Sequence, residues 1–264
     1  MTTLEVTAPA LLPYAQHLAD KVVLLTGASQ GIGFAIAQAL APYSQHHGLK
    51  LAISGRNPQR LAQATQQLQH SFAGLDLTPL PADVQDAHNG EWLVSQTVQR
   101  YGKLNILINN AGIGGKVGLL NEVSDEQLVA MVATNLTAPL LLAKHALRVM
   151  VPQQEGTIIN INSIAGKRPF PYWVAYDATK AGLKAATDAL SEEQRSNGIR
   201  VIGIYPGAVA THIWDTLDLD QANQPDAGSI LQPHQVAEAV LFALGQPANT
   251  LVSDITLEPT RPAL

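Results

Sequence analysis

The stretch TGASQGIG, residues 26–33, joins an apolar run, VVLLTG at 22–27, to a helix-length segment, GIGFAIAQALAPY at 31–43. Gly27, Gly31 and Gly33 follow the pattern G-x-x-x-G-x-G. Glycines here let the backbone turn tightly and approach a pyrophosphate, while the helix start supplies free amides and a partial positive charge. A tight strand-to-helix connection would use the same residues, and the position after the first strand is what favours a nucleotide. No Gly-Lys-Ser/Thr follows, so a P-loop is excluded, and the spacing differs from G-x-G-x-x-G.

Outward from this turn, apolar runs keep alternating with helix-length segments. Strands are expected at 49–54, 75–83, 104–112, 156–162, 199–207 and 253–259, with helices at 58–72, 89–102, 124–150, 174–196 and 233–244. The strands are short, mostly apolar and rarely alternate, as expected when helices cover both faces. The pattern predicts one α/β domain over 21–264, a Rossmann-like, doubly wound parallel sheet of about seven strands. Ser124 with Gln127 reads as a capping box and Pro58 as a first-turn proline. Residues 1–20 read as an arm or short accessory helix. Residues 208–231 are polar and aperiodic, as in a substrate lid.

Composition narrows the function. The chain has 264 residues, 46% hydrophobic and 14% charged, with a net charge of -5, so it is expected to fold. No basic run points to nucleic acid. No uninterrupted apolar run reaches the roughly 18 residues of a membrane span. The N-terminus carries no early positive charge, unlike a secretory signal. The absence of cysteine excludes disulfides and thiolate chemistry and fits a cytoplasmic protein. The eight histidines show no metal-ligand spacing, His46 and His47 fall in an expected loop, and no metal site is expected.

The stretch YDATKAGLKAA, 176–186, puts Tyr176 and Lys180 on one helical face. That spacing alone is weak and more often marks a solvated face. Read with the glycine turn, Asp83–Val84, NNAG at 109–112, Asn135, Ser163 and YPG at 205–207, all in order, it resembles the single-domain short-chain dehydrogenase/reductase family. The C-terminal DITLEP departs from the DGG ending common among 3-oxoacyl-carrier-protein reductases.

The resemblance implies hydride transfer between a nicotinamide and a carbonyl or secondary alcohol. It implies Tyr176 as general acid/base, Lys180 lowering the phenol pKa from about 10 and holding the nicotinamide ribose, Ser163 on the substrate oxygen, and Asn135 bending its helix and holding a relay water. It implies a cofactor site of Gly27, Ser29, Gln30, Gly31, Ile32, Gly33, Arg56, Asp83, Val84, Asn110, Ala111, Gly112, Tyr176, Lys180, Pro206, Gly207, Val209 and Thr211. Gly55 stands where an NAD enzyme carries an acid, and Arg56 suits a 2′-phosphate, so NADP(H) is expected over NAD(H). An exposed arginine before an Asn-Pro turn would look the same.

Taken without the resemblance, Ser163 could equally cap its loop, and Asn162 competes with it. Phe170, Tyr172, Trp173 and Trp214 are candidates for an apolar pocket, favouring a small carbonyl or alcohol substrate with a hydrophobic body, or else for a subunit interface. Lys167 and Arg168 are either solvated or attract an acidic substrate or carrier protein. Asp177 is expected to point away from the Tyr176 face and has no expected role. The family implies a homodimer or homotetramer packed through 124–150 and 174–196. A 3-oxoacyl-carrier-protein reductase is the alternative. A non-catalytic NADP-binding regulator is a rival from another class, expected to have lost Tyr176 or Lys180.

Overall fold

A computed structural model describes residues 14–212, 214 and 230–261. The strands are β1 (Val22–Leu25), β2 (Lys50–Gly55), β3 (Leu77–Pro81), β4 (Ile106–Asn109), β5 (Gly156–Ile161), β6 (Ile199–Pro206) and β7 (Asp254–Leu257). They form one parallel sheet in the order β3-β2-β1-β4-β5-β6-β7. The helices are α1 (Ala15–Leu18), α2 (Gly31–His47), α3 (Pro58–Ser71), α4 (Ala87–Tyr101), α5 (Asp125–Val132), α6 (Ala138–Gln153), α7 (Val174–Gln194) and α8 (Pro233–Leu244).

Strand side chains alternate between two cores. Val23 and Leu25 join Leu51, Ile53 and Ile108 under α1, α2, α3 and α8. Leu24 joins Ala52, Leu107 and Ile158 under α4 and α6. Both faces of the central strands are therefore apolar, which is why their sequences do not alternate. The strand order reverses between β1 and β4, and in such sheets ligands bind in the crevice beyond the carboxyl ends there.

Two expectations change and the reading of the arm is narrowed. Residues 124–150 are not one regular helix: Ala133–Thr137 forms a π-turn between α5 and α6. Pro139 has no N–H to donate to the carbonyl four residues back, that of Asn135, and its ring crowds that group, so the turn widens. His46 and His47 lie in the last turn of α2, which Gly48 ends in a left-handed conformation at φ 69. The end of the arm is α1, whose Leu18 is fully buried. Residues 1–13 of the arm, and 213 and 215–229 of the expected lid, lie outside the described residues. The two ends of that lid segment meet, since Ala210 N donates to Leu231 O at 2.8 Å and Leu231 N to Ala208 O at 2.8 Å.

By length and composition, Asp125–Gln153 passes for a membrane-crossing helix, yet it is the π-interrupted pair α5 and α6 packed against the sheet, α4 and α7.

Candidate active site

The glycine turn is held by its neighbours. Gly27 and Gly31 take positive φ of 67 and 57. A Cβ on Gly33 would stand 2.2 Å from Gly27 O and 2.4 Å from Asn110 Nδ2. Asn110 Nδ2 donates to the carbonyls of Thr26 and Gly27, both at 3.0 Å, and Thr26 Oγ1 accepts from Asn110 N and Ala111 N. The NNAG run is thus a brace for the glycine turn. Gln30 gives α2 no side-chain cap, and its first turn has no acid, so the helix start is left free for an anion.

A cleft of about 550 Å3 opens beside this turn. Gly27, Ser29, Gln30, Gly31, Ile32, Arg56, Asp83, Val84, Asn110, Ala111, Gly112, Tyr176, Lys180 and Thr211 all line it. Four expected residues do not. Gly33 lies behind the turn as a close-packing position, and Pro206, Gly207 and Val209 line a second cavity. The cleft also contains Arg60, four residues beyond Arg56, which sequence reasoning missed. The signal was present: Asn57 caps α3, accepting from Arg60 N at 2.9 Å, and so puts Arg60 in the first helical turn.

At the other end of the cleft, α7 brings Tyr176 and Lys180 together, with Lys180 Nζ 5.7 Å from the Tyr176 ring centroid. Lys180 is 5% exposed and donates to Ile161 O at 3.2 Å. Burial lowers its pKa to about 8. Burial also pushes the Tyr176 phenol up to about 12, reinforced by the Asp177 charge and opposed by Ser163. The expected lowering of the phenol by Lys180 is not seen: Lys180 is not among the causes of the shift, and desolvation is the largest of them.

Ser163 follows β5, its Oγ accepts from Ala165 N at 3.1 Å, and its hydroxyl pulls the Tyr176 pKa down against burial. The loop-capping reading of Ser163 is the one the Ala165 bond bears out. Asn162 lines both cavities and is the local brace: Oδ1 accepts from Ser163 N at 2.9 Å and Nδ2 donates to Lys180 O at 3.2 Å. Asn135 lines neither cavity. It is 1% exposed in the π-turn, exchanges 2.9 Å hydrogen bonds with the backbone N–H and carbonyl of Ile113, and donates to Thr179 Oγ1 at 3.3 Å.

The second cavity, about 380 Å3, lies on the far side of Tyr176 and is mostly apolar: Ile32, Ala165, Phe170, Trp173, Pro206, Val209, Trp214 and Pro259 line it. Trp173 meets Tyr176 edge-on at 5.6 Å and Trp214 at 6.4 Å. Tyr172 is not part of it, being 58% exposed at φ 72. Lys167 and Arg168 sit at the surface and are both paired: Lys167 Nζ donates to Asp254 at 2.9 Å and Thr256 at 2.7 Å, and Arg168 donates to Glu258 at 2.8 Å. Asp177, expected to face away, is 8% exposed, and its Oδ2 accepts from Phe170 N at 2.6 Å.

Known proteins resemble this chain in sequence and in fold. An uncharacterized oxidoreductase of Staphylococcus aureus (strain MRSA252) is 35% identical over 245 residues, covering 92% of this chain and 98% of the relative. The alcohol dehydrogenase of the archaeon Thermococcus sibiricus, solved with 5-hydroxy-NADP, superposes with a TM-score of 0.80 at 29% identity over 92% of this chain and 98% of that one. A variant of actinorhodin polyketide ketoreductase with NADPH gives 0.79 at 31% identity over 91% and 96%. The profile of the short chain dehydrogenases matches residues 21–222, and with the glycine turn, the parallel sheet and the Tyr176–Lys180 face in place, the chain belongs to the short-chain dehydrogenase family.

Proposed function

We propose that this protein is an NADP(H)-dependent oxidoreductase that interconverts a carbonyl and a secondary alcohol on a small molecule with an apolar body. One observation carries the reading: a polar cleft and an apolar pocket share the residues Ile32, Asn162, Tyr176 and Thr211, so a cofactor and a hydrophobic substrate would meet at the phenol. The cleft suits a dinucleotide, with an uncapped helix start for the pyrophosphate and Asp83 and Val84 for the adenine. Arg56 and Arg60 line it beside Gly55, where no acid stands, which supports a 2′-phosphate and hence NADP(H) over NAD(H).

The nicotinamide, when bound, supplies or accepts the hydride. In reduction, Tyr176 gives its proton to the oxygen of the substrate. A phenol held near 12 is fully protonated at neutral pH and ready to donate. The Lys180 cation, mostly charged below its pKa of about 8, stabilises the phenolate left behind. Ser163 holds the same oxygen, and in oxidation Tyr176 takes the proton back. Asn135 pins the turn after β4 against α7 and keeps Lys180 in register. The acid-pairing of Lys167 and Arg168 argues against a carrier-protein substrate. Exposed Val129, Val132 and Leu140 on α5 and α6 support self-association there.

The test is Tyr176→Phe, which keeps the ring and removes the proton. NADPH-dependent turnover of a hydrophobic ketone is expected to fall roughly a thousandfold, the middle of the range for general acid catalysis, with NADPH affinity unchanged. Undiminished turnover contradicts the assignment.

A further inference from the structure

We propose that Asp177 is a positioning residue: by accepting the backbone N–H of Phe170, its buried carboxylate fixes the segment 168–173 that forms the aromatic wall of the apolar pocket.

That segment has few ways to hold itself. Pro169 and Pro171 lack an N–H, so Phe170 carries the one amide donor in residues 169–171. Its acceptor is a side chain of α7, at 2.6 Å. Asp177 N then donates to Trp173 O at 2.8 Å, and Trp173 N to Phe170 O at 3.2 Å, closing a ring of three hydrogen bonds through the segment. Phe170 and Trp173 are the two aromatic residues of the segment that line the pocket, and Trp173 touches both Tyr176 and Trp214. A second tether, Arg168 to Glu258, lies at the surface, with both side chains more than 40% exposed, and exposed ion pairs hold weakly.

The carboxylate is a costly choice for a packing residue. Asp177 is 8% exposed, and its Oδ1 is buried with no hydrogen-bond partner among the described residues. Burial raises its pKa, opposed by the Phe170 bond. A half-satisfied buried acid weakens a fold unless it holds something in place. Here it holds the backbone next to the residue read as the proton donor. The neighbouring loop depends on the same segment, because Gly118 N donates to Tyr172 O at 3.0 Å.

The effect on KM rests on the reading of Tyr176 given above; the effect on the wall does not. In a Trp92→Phe background, Trp173 and Trp214 are the fluorophores that remain. Asp177→Ala, or Asp177→Leu if the alanine variant fails to fold, removes the acceptor; Asp177→Asn keeps one and removes the charge. We expect the alanine variant to raise the acrylamide quenching constant of the tryptophans about twofold and KM for a hydrophobic ketone about tenfold, with kcat and NADPH affinity little changed. The asparagine variant is expected to match the native protein within about twofold in KM and quenching. Native KM and quenching in the alanine variant overturn the proposal, and so does an asparagine variant as impaired as the alanine. If Tyr176→Phe keeps its turnover while Asp177→Ala still loosens the tryptophans, the catalytic reading fails and the anchor stands; the opposite pair of results removes the anchor alone.

Discussion

The cleft beside the glycine turn takes its walls from short consecutive runs, 29–32, 54–57, 82–85 and 110–113, each at or beyond the carboxyl end of a strand. The pocket beyond Tyr176 takes its walls from the loop after β5, the start of α7, the end of β6, Trp214 and the residues after β7. The cleft is shaped by backbone and braced by Asn110 and Thr26. The pocket is shaped by large side chains held through tethers between segments distant in sequence, such as Lys167 to Asp254 and Phe170 to Asp177. A site made of backbone tolerates one residue type at its tight positions. A site made of side chains can be re-lined without disturbing the fold. The same sheet can therefore keep one cofactor while its substrate changes.

The strongest way to break the comparison is at Gly33. An alanine there meets Gly27 O at 2.2 Å, and neither that carbonyl nor Asn110 can retreat without opening the turn. Gly33→Ala is expected to cost about 3 kcal/mol or more in overpacking strain and to abolish NADPH binding, read by calorimetry. The tryptophan fluorescence of the pocket should remain native if the two regions are separately built.

Lys180 sits on the seam, and its burial gives a pH signature. Unfolded, it holds its proton up to about 10.5; folded, it releases it near 8. Between these values the unfolded chain binds more protons, so stability rises with pH through this window and is lost as pH falls through 8. Relative to Lys180→Met, which keeps the apolar stem, the native protein should gain about 2 kcal/mol between pH 7 and 10 in urea unfolding. A flat difference would mean that the ammonium is solvated.

The smallest effect sharpens the cleft alone. Arg56→Ala should weaken NADPH binding about tenfold, the worth of one charged hydrogen bond, and leave NADH binding unchanged. Tighter binding of NADH than NADPH by the native protein would remove the case for a 2′-phosphate.

The same contrast explains what the sequence revealed. The five inner strands were legible because strands buried on both faces read as unbroken apolar runs, the edge strands β3 and β7 by their place in the alternation, and the glycine turn because tight backbone approach leaves glycine as the residue that fits. The π-turn was missed although Pro139 marks it, because its neighbours keep helical periodicity and the broken bond affects one carbonyl. Arg60 needed the cap of α3 to be read through to the cleft. The tethers of Lys167, Arg168 and Asp177 were out of reach, since their partners lie 87, 90 and 7 residues away and nothing local signals the pairing. The phenol pKa went the other way for the same reason: spacing shows that Lys180 is near Tyr176, and only the packing shows how deeply both are desolvated.

The proposed passage of a hydride between ligands in the cleft and the pocket, meeting at Tyr176, has a direct test. The direct measurement is reduction of a hydrophobic ketone with NADPH deuterated at C4 of the nicotinamide. Deuterium is expected on the carbinol carbon of a single alcohol enantiomer, with no such product from Tyr176→Phe on the same timescale. Tight NADPH binding with no transfer of label to any hydrophobic ketone or aldehyde would contradict it.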